Sequence, residues 1–225
     1  MKPFLSAFKT SLPALLCYLP LGMVYGILCT QNGYPWYYAP LFSLFVLAGA
    51  MQFLALTLLS TGASFLTIAL AIIPLGIRNI FYGMTMLERY KNFHPLLRLY
   101  LAHGLIDATY SLLHTDTLAP EKNHPRFIIS LTALVHSYWV IGSLLGCFIL
   151  DFVTVPAGLE FALTAFFAAS AMEQFLNKKE IKPILIAACS IILSALLVPH
   201  RFFLGAISCA ILICLALPYR FRRTA

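Results

Sequence analysis

From Thr10 to Ile77 the chain carries no lysine, arginine, histidine, aspartate or glutamate. A soluble domain cannot be built on such a stretch, because its elements would have no polar face to turn to water. Apolar runs of about twenty residues are instead the mark of helices that cross a bilayer. The rest of the chain agrees: 61% of its residues are hydrophobic and 10% are charged, against roughly a quarter charged in ordinary soluble domains. The reading is an all-α integral membrane protein forming a single transmembrane domain over 1–225. No loop is long enough to hold a soluble domain.

Eight apolar segments stand out: 11–30, 37–60, 63–87, 99–115, 127–150, 152–176, 183–198 and 202–218. The three shorter ones, 99–115, 183–198 and 202–218, read as tilted, interfacial or enclosed by other helices. Segment 11–30 reads as a retained first helix, since no small-residue cleavage site precedes Gln31. The net charge of +7 gathers at segment edges, at Lys2 and Lys9, Arg89 to Arg98, Lys178 to Lys182 and Arg220 to Arg223. That is the pattern of cytoplasmic loops rather than of a nucleic-acid surface. The six cysteines are dispersed, with no CxxC pair and no histidine cluster, so no metal or cofactor is expected.

Two threadings compete. If all eight segments span, the basic loop ERYKNFHPLLR (88–98) falls outside, against the positive-inside rule. If 37–60 and 151–176 are broken or re-entrant hairpins, 88–98 moves inside. Both contain an Ala-Gly step, in LAGAMQF (47–53) and PAGLEF (156–161), and each follows a helix with GxxxG spacing, Gly22/Gly26 and Gly142/Gly146. The two units would then face opposite ways, as inverted repeats do in transporters.

Ionisable groups inside membrane segments are functional by default. Arg78 lies about 14 Å by helical rise from the end of its segment at Leu87, too far to snorkel. It needs a buried acceptor, either a structural ion pair or a carboxylate ligand that fits the guanidinium fork. Asn79 follows it. In 99–115, His103, Asp107, Ser111 and His114 recur at the spacing of one helical face. Asp107 can pair with Arg78 or carry a coupling proton, with His103 in reach to tune it. Gln52 and Glu160 follow the two Ala-Gly steps, where a helix broken at Gly49 or Gly158 would aim free backbone groups at a substrate. Gln52 also suits an interhelical hydrogen bond, Trp139 suits either an interfacial belt or a pocket, and YPWYY (34–38) reads as a belt.

The stretches LPLGMVYG (19–26), LAGAMQFLAL (47–56), IRNIFYG (77–83), LIDATYSL (105–112), WVIGSLLG (139–146) and GLEFALTAFF (158–167) together resemble the AzlC family, the large subunit of branched-chain amino acid exporters. The resemblance covers most of the chain. Where that family tends to have Asn two residues before the arginine and His after it, this chain has Gly76 and Asn79. The resemblance implies a small AzlD-type membrane subunit as partner and a place in the bacterial inner membrane.

The resulting expectation is a multi-pass secondary transporter exporting branched-chain or other small apolar amino acids, coupled to protons. Arg78, Asn79, Gln52, Gly49 and Glu160 would bind the substrate, and Asp107 and His103 would carry the proton. A passive channel and a non-catalytic subunit of a larger complex are the alternatives. An enzyme is not expected, because no nucleophile stands beside His103 and Asp107.

Overall fold

The computed structural model describes residues 2–114, 124–149 and 158–162, with scattered positions between 164 and 196. Every regular element among them is helical: α1 (Lys2–Gln31), α2 (Tyr38–Phe45), α3 (Gly49–Ser60), α4 (Phe65–Tyr90), α5 (Pro95–His103), α6 (Asp107–His114) and α7 (Pro125–Ile149), followed by a short 3-10 turn at Leu159–Phe161. Among the described residues two helices, α1 from Pro3 and α7, are long and apolar enough to cross a membrane, and α4 is a third if its two limbs count as one span. Those limbs meet at 41° around Pro74, where proline withholds one backbone donor. Most of the expected segments beyond 150 and the loop at 115–123 lie outside the described residues.

The bundle is built on the contact between α1 and α7. Its glycines let the two backbones touch. A Cβ on Gly22 would stand 2.8 Å from the Trp139 carbonyl oxygen, and a Cβ on Gly26 or Gly146 would collide with the carbonyl of Ser143 or Met23. This is the small-residue packing that membrane helices use in place of a hydrophobic driving force. The contacts of 22 with 139 and of 26 with 143 keep one offset along both helices, so α1 and α7 run parallel. Counterparts in an inverted repeat must run antiparallel, and the expectation that these two GxxxG helices are such counterparts is therefore corrected.

Helix α4 runs the other way. Met86 and Tyr90 near its end share one apolar cluster with Ala7 at the start of α1 and with Phe127, Ile128 and Leu131 at the start of α7. Three lengths of helix rise from that end. Tyr18 is 11 residues beyond Ala7, Trp139 is 11 beyond Ile128 and Arg78 is 12 before Tyr90, which places all three at about 16–18 Å by helical rise.

The remaining helices form two broken pairs. The 37–60 segment is interrupted at 46–48, between α2 and α3, and Gln52 Nε2 reaches Ser43 Oγ across the break at 3.4 Å. The 99–115 segment, expected as one helix, is interrupted at 104–106. A straight helix over 95–114 would carry its ends about 30 Å apart. Instead Arg89, at the end of α4 just before α5 begins, donates from Nη1 to the Leu113 carbonyl at 2.6 Å. The α5–α6 pair folds back to the end it started from. The one-face stripe of His103, Asp107, Ser111 and His114 does not form, because His103 ends α5 and Asp107 opens α6.

Two basic residues of the 88–98 loop close helix ends. Besides Arg89, Arg98 donates from Nη2 to the carbonyls of Lys91 at 2.6 Å and Phe93 at 3.3 Å. Cations at carbonyl-rich helix C-termini are favourably placed.

Candidate functional site

The tips of both broken pairs meet at the level of Arg78. A cavity of about 30 Å³ lies there, lined by Ala48, Gly49 and Ala50 from the first break, Ile106 and Asp107 from the second, Arg78 and Asn79 from α4, Tyr18 and Leu21 from α1, and Trp139 from α7. That volume admits about one or two water molecules.

Arg78 and Asp107 form its polar wall. Arg78 Nη1 stands 2.9 Å from Asp107 Oδ2. The other carboxylate oxygen, Oδ1, accepts from the Tyr82 hydroxyl at 2.9 Å, and Tyr82 is stacked on Tyr110 with ring centroids 4.4 Å apart. Arg78 and Asp107 are 34% and 31% exposed, so the pair is open enough to be exchanged. Asp107 is also the first residue of α6, where a carboxylate favours the positive end of the helix dipole.

Aromatic rings complete the cavity wall. Trp139 is 2% exposed and makes ring contacts with Tyr18, Tyr25 and Phe53 at centroid distances of 5.8, 6.4 and 6.5 Å. Its Nε1 donates to Gln52 Oε1 at 2.6 Å. Gln52 is fully buried, with its oxygen on Trp139 and its nitrogen on Ser43. It supports the cavity wall without lining it. Gly49, which opens α3, faces the Trp139 ring so closely that a Cβ would lie 2.9 Å from Cη2. The first N–H groups of α3 have no intrahelical acceptor, and Ala48 to Ala50 bring them to the cavity.

Four of the residues expected at the site, Arg78, Asn79, Gly49 and Asp107, thus line one cavity. His103 does not join them. Its Nε2 lies 3.3 Å from the Leu44 carbonyl oxygen, and its ring is 5.7 Å from that of His136. The expectation that His103 tunes Asp107 from one turn away is corrected by the break at 104–106, which sends the two residues to different partners. The side chain of Glu160 lies outside the described residues; its backbone belongs to the 3-10 turn that follows Gly158, whose φ is +89°. The ambiguity over Trp139 resolves toward the pocket. Tyr18, Tyr82, Ile106 and His136 were not singled out from sequence. Tyr82 had a readable signal, four residues after Arg78 and so one turn along the same face.

Among known proteins, the family described as "AzlC protein" matches residues 13–153. The chain is 41% identical over 180 residues to a Helicobacter pylori "Uncharacterized membrane protein", covering 78% of each. It is 30% identical over 178 residues to the "Branched-chain amino acid transport protein AzlC" of Bacillus subtilis, covering 79% of this chain and 70% of that one. It is 25% identical over 185 residues to the "Inner membrane protein YgaZ" of Escherichia coli, covering 79% and 76%. No solved structure matches the chain.

Proposed function

The chain belongs to the AzlC family of membrane proteins, and from that premise we propose that it exports branched-chain or other small apolar amino acids across the bacterial inner membrane, driven by protons. The observation that carries the reading is the cavity where Arg78, Asp107 and the two helix breaks converge. Its depth of about 16–18 Å from one end of the bundle is close to half the hydrocarbon thickness of about 30 Å. With α1, α4 and α7 spanning, the α2–α3 and α5–α6 pairs are re-entrant from opposite faces and meet near the midplane, where transporters hold substrates between discontinuous helices.

An α-amino acid presents both charges that this wall can receive. Its carboxylate suits Arg78 and the free N–H groups at Gly49 and Ala50. Its ammonium suits Asp107, and its aliphatic side chain suits Leu21, Ile106 and the Tyr18 and Trp139 rings. Asn79 adds a neutral polar contact, and Glu160 remains a further candidate for the ammonium. A cavity of one or two waters is too small for any amino acid. Binding therefore exchanges the Arg78–Asp107 pair for substrate contacts while the hairpin tips separate. A small AzlD-type subunit is proposed to complete the assembly.

The test uses proteoliposomes loaded with labelled valine, carrying the chain alone or with an AzlD-type subunit. Saturable efflux that an imposed proton gradient accelerates, and that Arg78→Ala removes, is expected. Efflux no faster than from empty liposomes would sink the substrate assignment. Efflux indifferent to the gradient would remove the coupling.

A further inference from the structure

The same two breaks that turn helix N-termini toward the cavity turn helix C-termini elsewhere. α2 ends at Phe45 and α5 ends at His103, and these two ends touch through His103 Nε2 and the Leu44 carbonyl. On α7, one turn before Trp139, His136 lies against the Ser43 and Leu44 carbonyls. Its ring contacts those of His103 at 5.7 Å and Tyr100 at 6.1 Å. His136 is 7% exposed, and its Nε2 is buried with no hydrogen-bond partner among the described residues.

We infer that His103 and His136, held between the converging C-terminal ends of α2 and α5, form a proton-binding site separate from the substrate cavity. The inference rests on the transport reading and refines where its coupling proton sits. Three features support it. Each helix C-terminus carries about half a negative charge, so two of them together favour a cation. Among the described residues, the groups facing the two imidazoles from the packed elements are the Ser43 and Leu44 carbonyls of α2 and Tyr100 of α5. None of these is a carboxylate, so the field comes from backbone dipoles. Two imidazoles with ring centroids 5.7 Å apart repel when both are charged, which limits the pair to one added proton. The buried Nε2 of His136 is the position that receives that proton.

The site is wired to the cavity. Ser43 presents its carbonyl to His136 and its hydroxyl to Gln52. Gln52 holds Trp139, and Trp139 forms the cavity wall. Charging the pair pulls on the end of α2, and the pull reaches the tryptophan through Gln52. Asp107, held by Arg78 and Tyr82, is left to the ion pair and the substrate ammonium.

Trp36 and Trp139 are the only tryptophans of the chain, so the full-length Trp36→Phe protein in nanodiscs makes Trp139 the sole reporter. Its fluorescence is expected to change with pH in a single transition of one-proton slope. His136→Gln should abolish the transition, and His103→Gln should shift its midpoint. Sodium at fixed pH should leave the signal unchanged. A flat wild-type titration, a transition that survives His136→Gln, a midpoint that His103→Gln leaves in place, or a response to sodium would each overturn the inference. If His136→Gln does not fold, the His103→Gln arm still decides, because His103 is exposed. Valine counterflow in proteoliposomes is read separately. Its absence from wild type would sink the transport reading while leaving a pH-dependent Trp139 signal intact. With counterflow present, His136→Gln should keep exchange but lose acceleration by a proton gradient.

Discussion

Asp107 holds two partners at once, Arg78 on one oxygen and Tyr82 on the other. Asp107→Asn should therefore remove the charge that answers Arg78 while preserving shape and one hydrogen bond. Valine transport is expected to fall at least about tenfold, the equivalent of one charge-assisted hydrogen bond at about 1.5–3 kcal/mol, with expression and monodispersity retained. Transport at wild-type rates would remove Asp107 from the site. Gly49→Ala acts from the other wall. Its Cβ meets a Trp139 ring that Tyr18, Tyr25, Phe53 and Gln52 all hold in place, so the ring cannot yield cheaply. An overpacking cost of about 1–3 kcal/mol is expected, with leucine transport hurt more than alanine transport in competition assays. Arg78 and Asp107 were legible in sequence because a charge deep in an apolar run demands a buried partner, and each supplies the other's. His136 was not, since a lone histidine on an apolar helix looks the same whether it is packed or poised.

Among the helices, glycine has two meanings that neighbouring residues separate only in three dimensions. At Gly146 an added Cβ strikes the Met23 backbone, whereas at Gly83 it meets nothing within 4 Å. Gly146→Ala should lower thermal stability by about 1–3 kcal/mol, since backbone cannot step aside. Gly83→Ala should be neutral or add up to about 1 kcal/mol from helix propensity. Equal melting temperatures for the two variants would contradict the α1–α7 interface. The same duality accounts for how 99–115 misled. Its leucines and alanines favour a helix, and the histidine and aspartate spacing suggested a continuous face. Gly104 nevertheless caps α5, where a Cβ would collide with Thr132 Cγ2, and Asp107 starts α6. A glycine followed three residues later by aspartate is a legitimate end-and-restart signal. The matching break at 46–48 was easier to see, because the Ala-Gly step stood inside a segment longer than one span requires.

For the whole molecule, the parallel course of α1 and α7 constrains topology more tightly than charge counting does. Parallel helices require the chain between them to cross the membrane an odd number of times. If both broken pairs crossed, there would be three crossings; if both return, α4 makes the only one. A single returning pair would make α7 antiparallel to α1. The contact between Arg89 and Leu113 and the cluster that joins Ala7, Tyr90 and Phe127 select the second case. The 88–98 loop then lies on the same side as Lys2 and Lys9, and the conflict with the positive-inside rule disappears without moving any basic residue. On the proposed transport reading, the described residues then form three spans and two re-entrant pairs, rather than five spans. A cysteine-free chain carrying single cysteines decides between them. Asn92→Cys and an N-terminal cysteine should label only from the cytoplasmic side, and Gly33→Cys, in the turn between α1 and α2, only from the opposite side. Labelling of Asn92→Cys from outside would require 37–60 and 95–114 both to span, and would dismantle the meeting of hairpin tips on which the cavity depends.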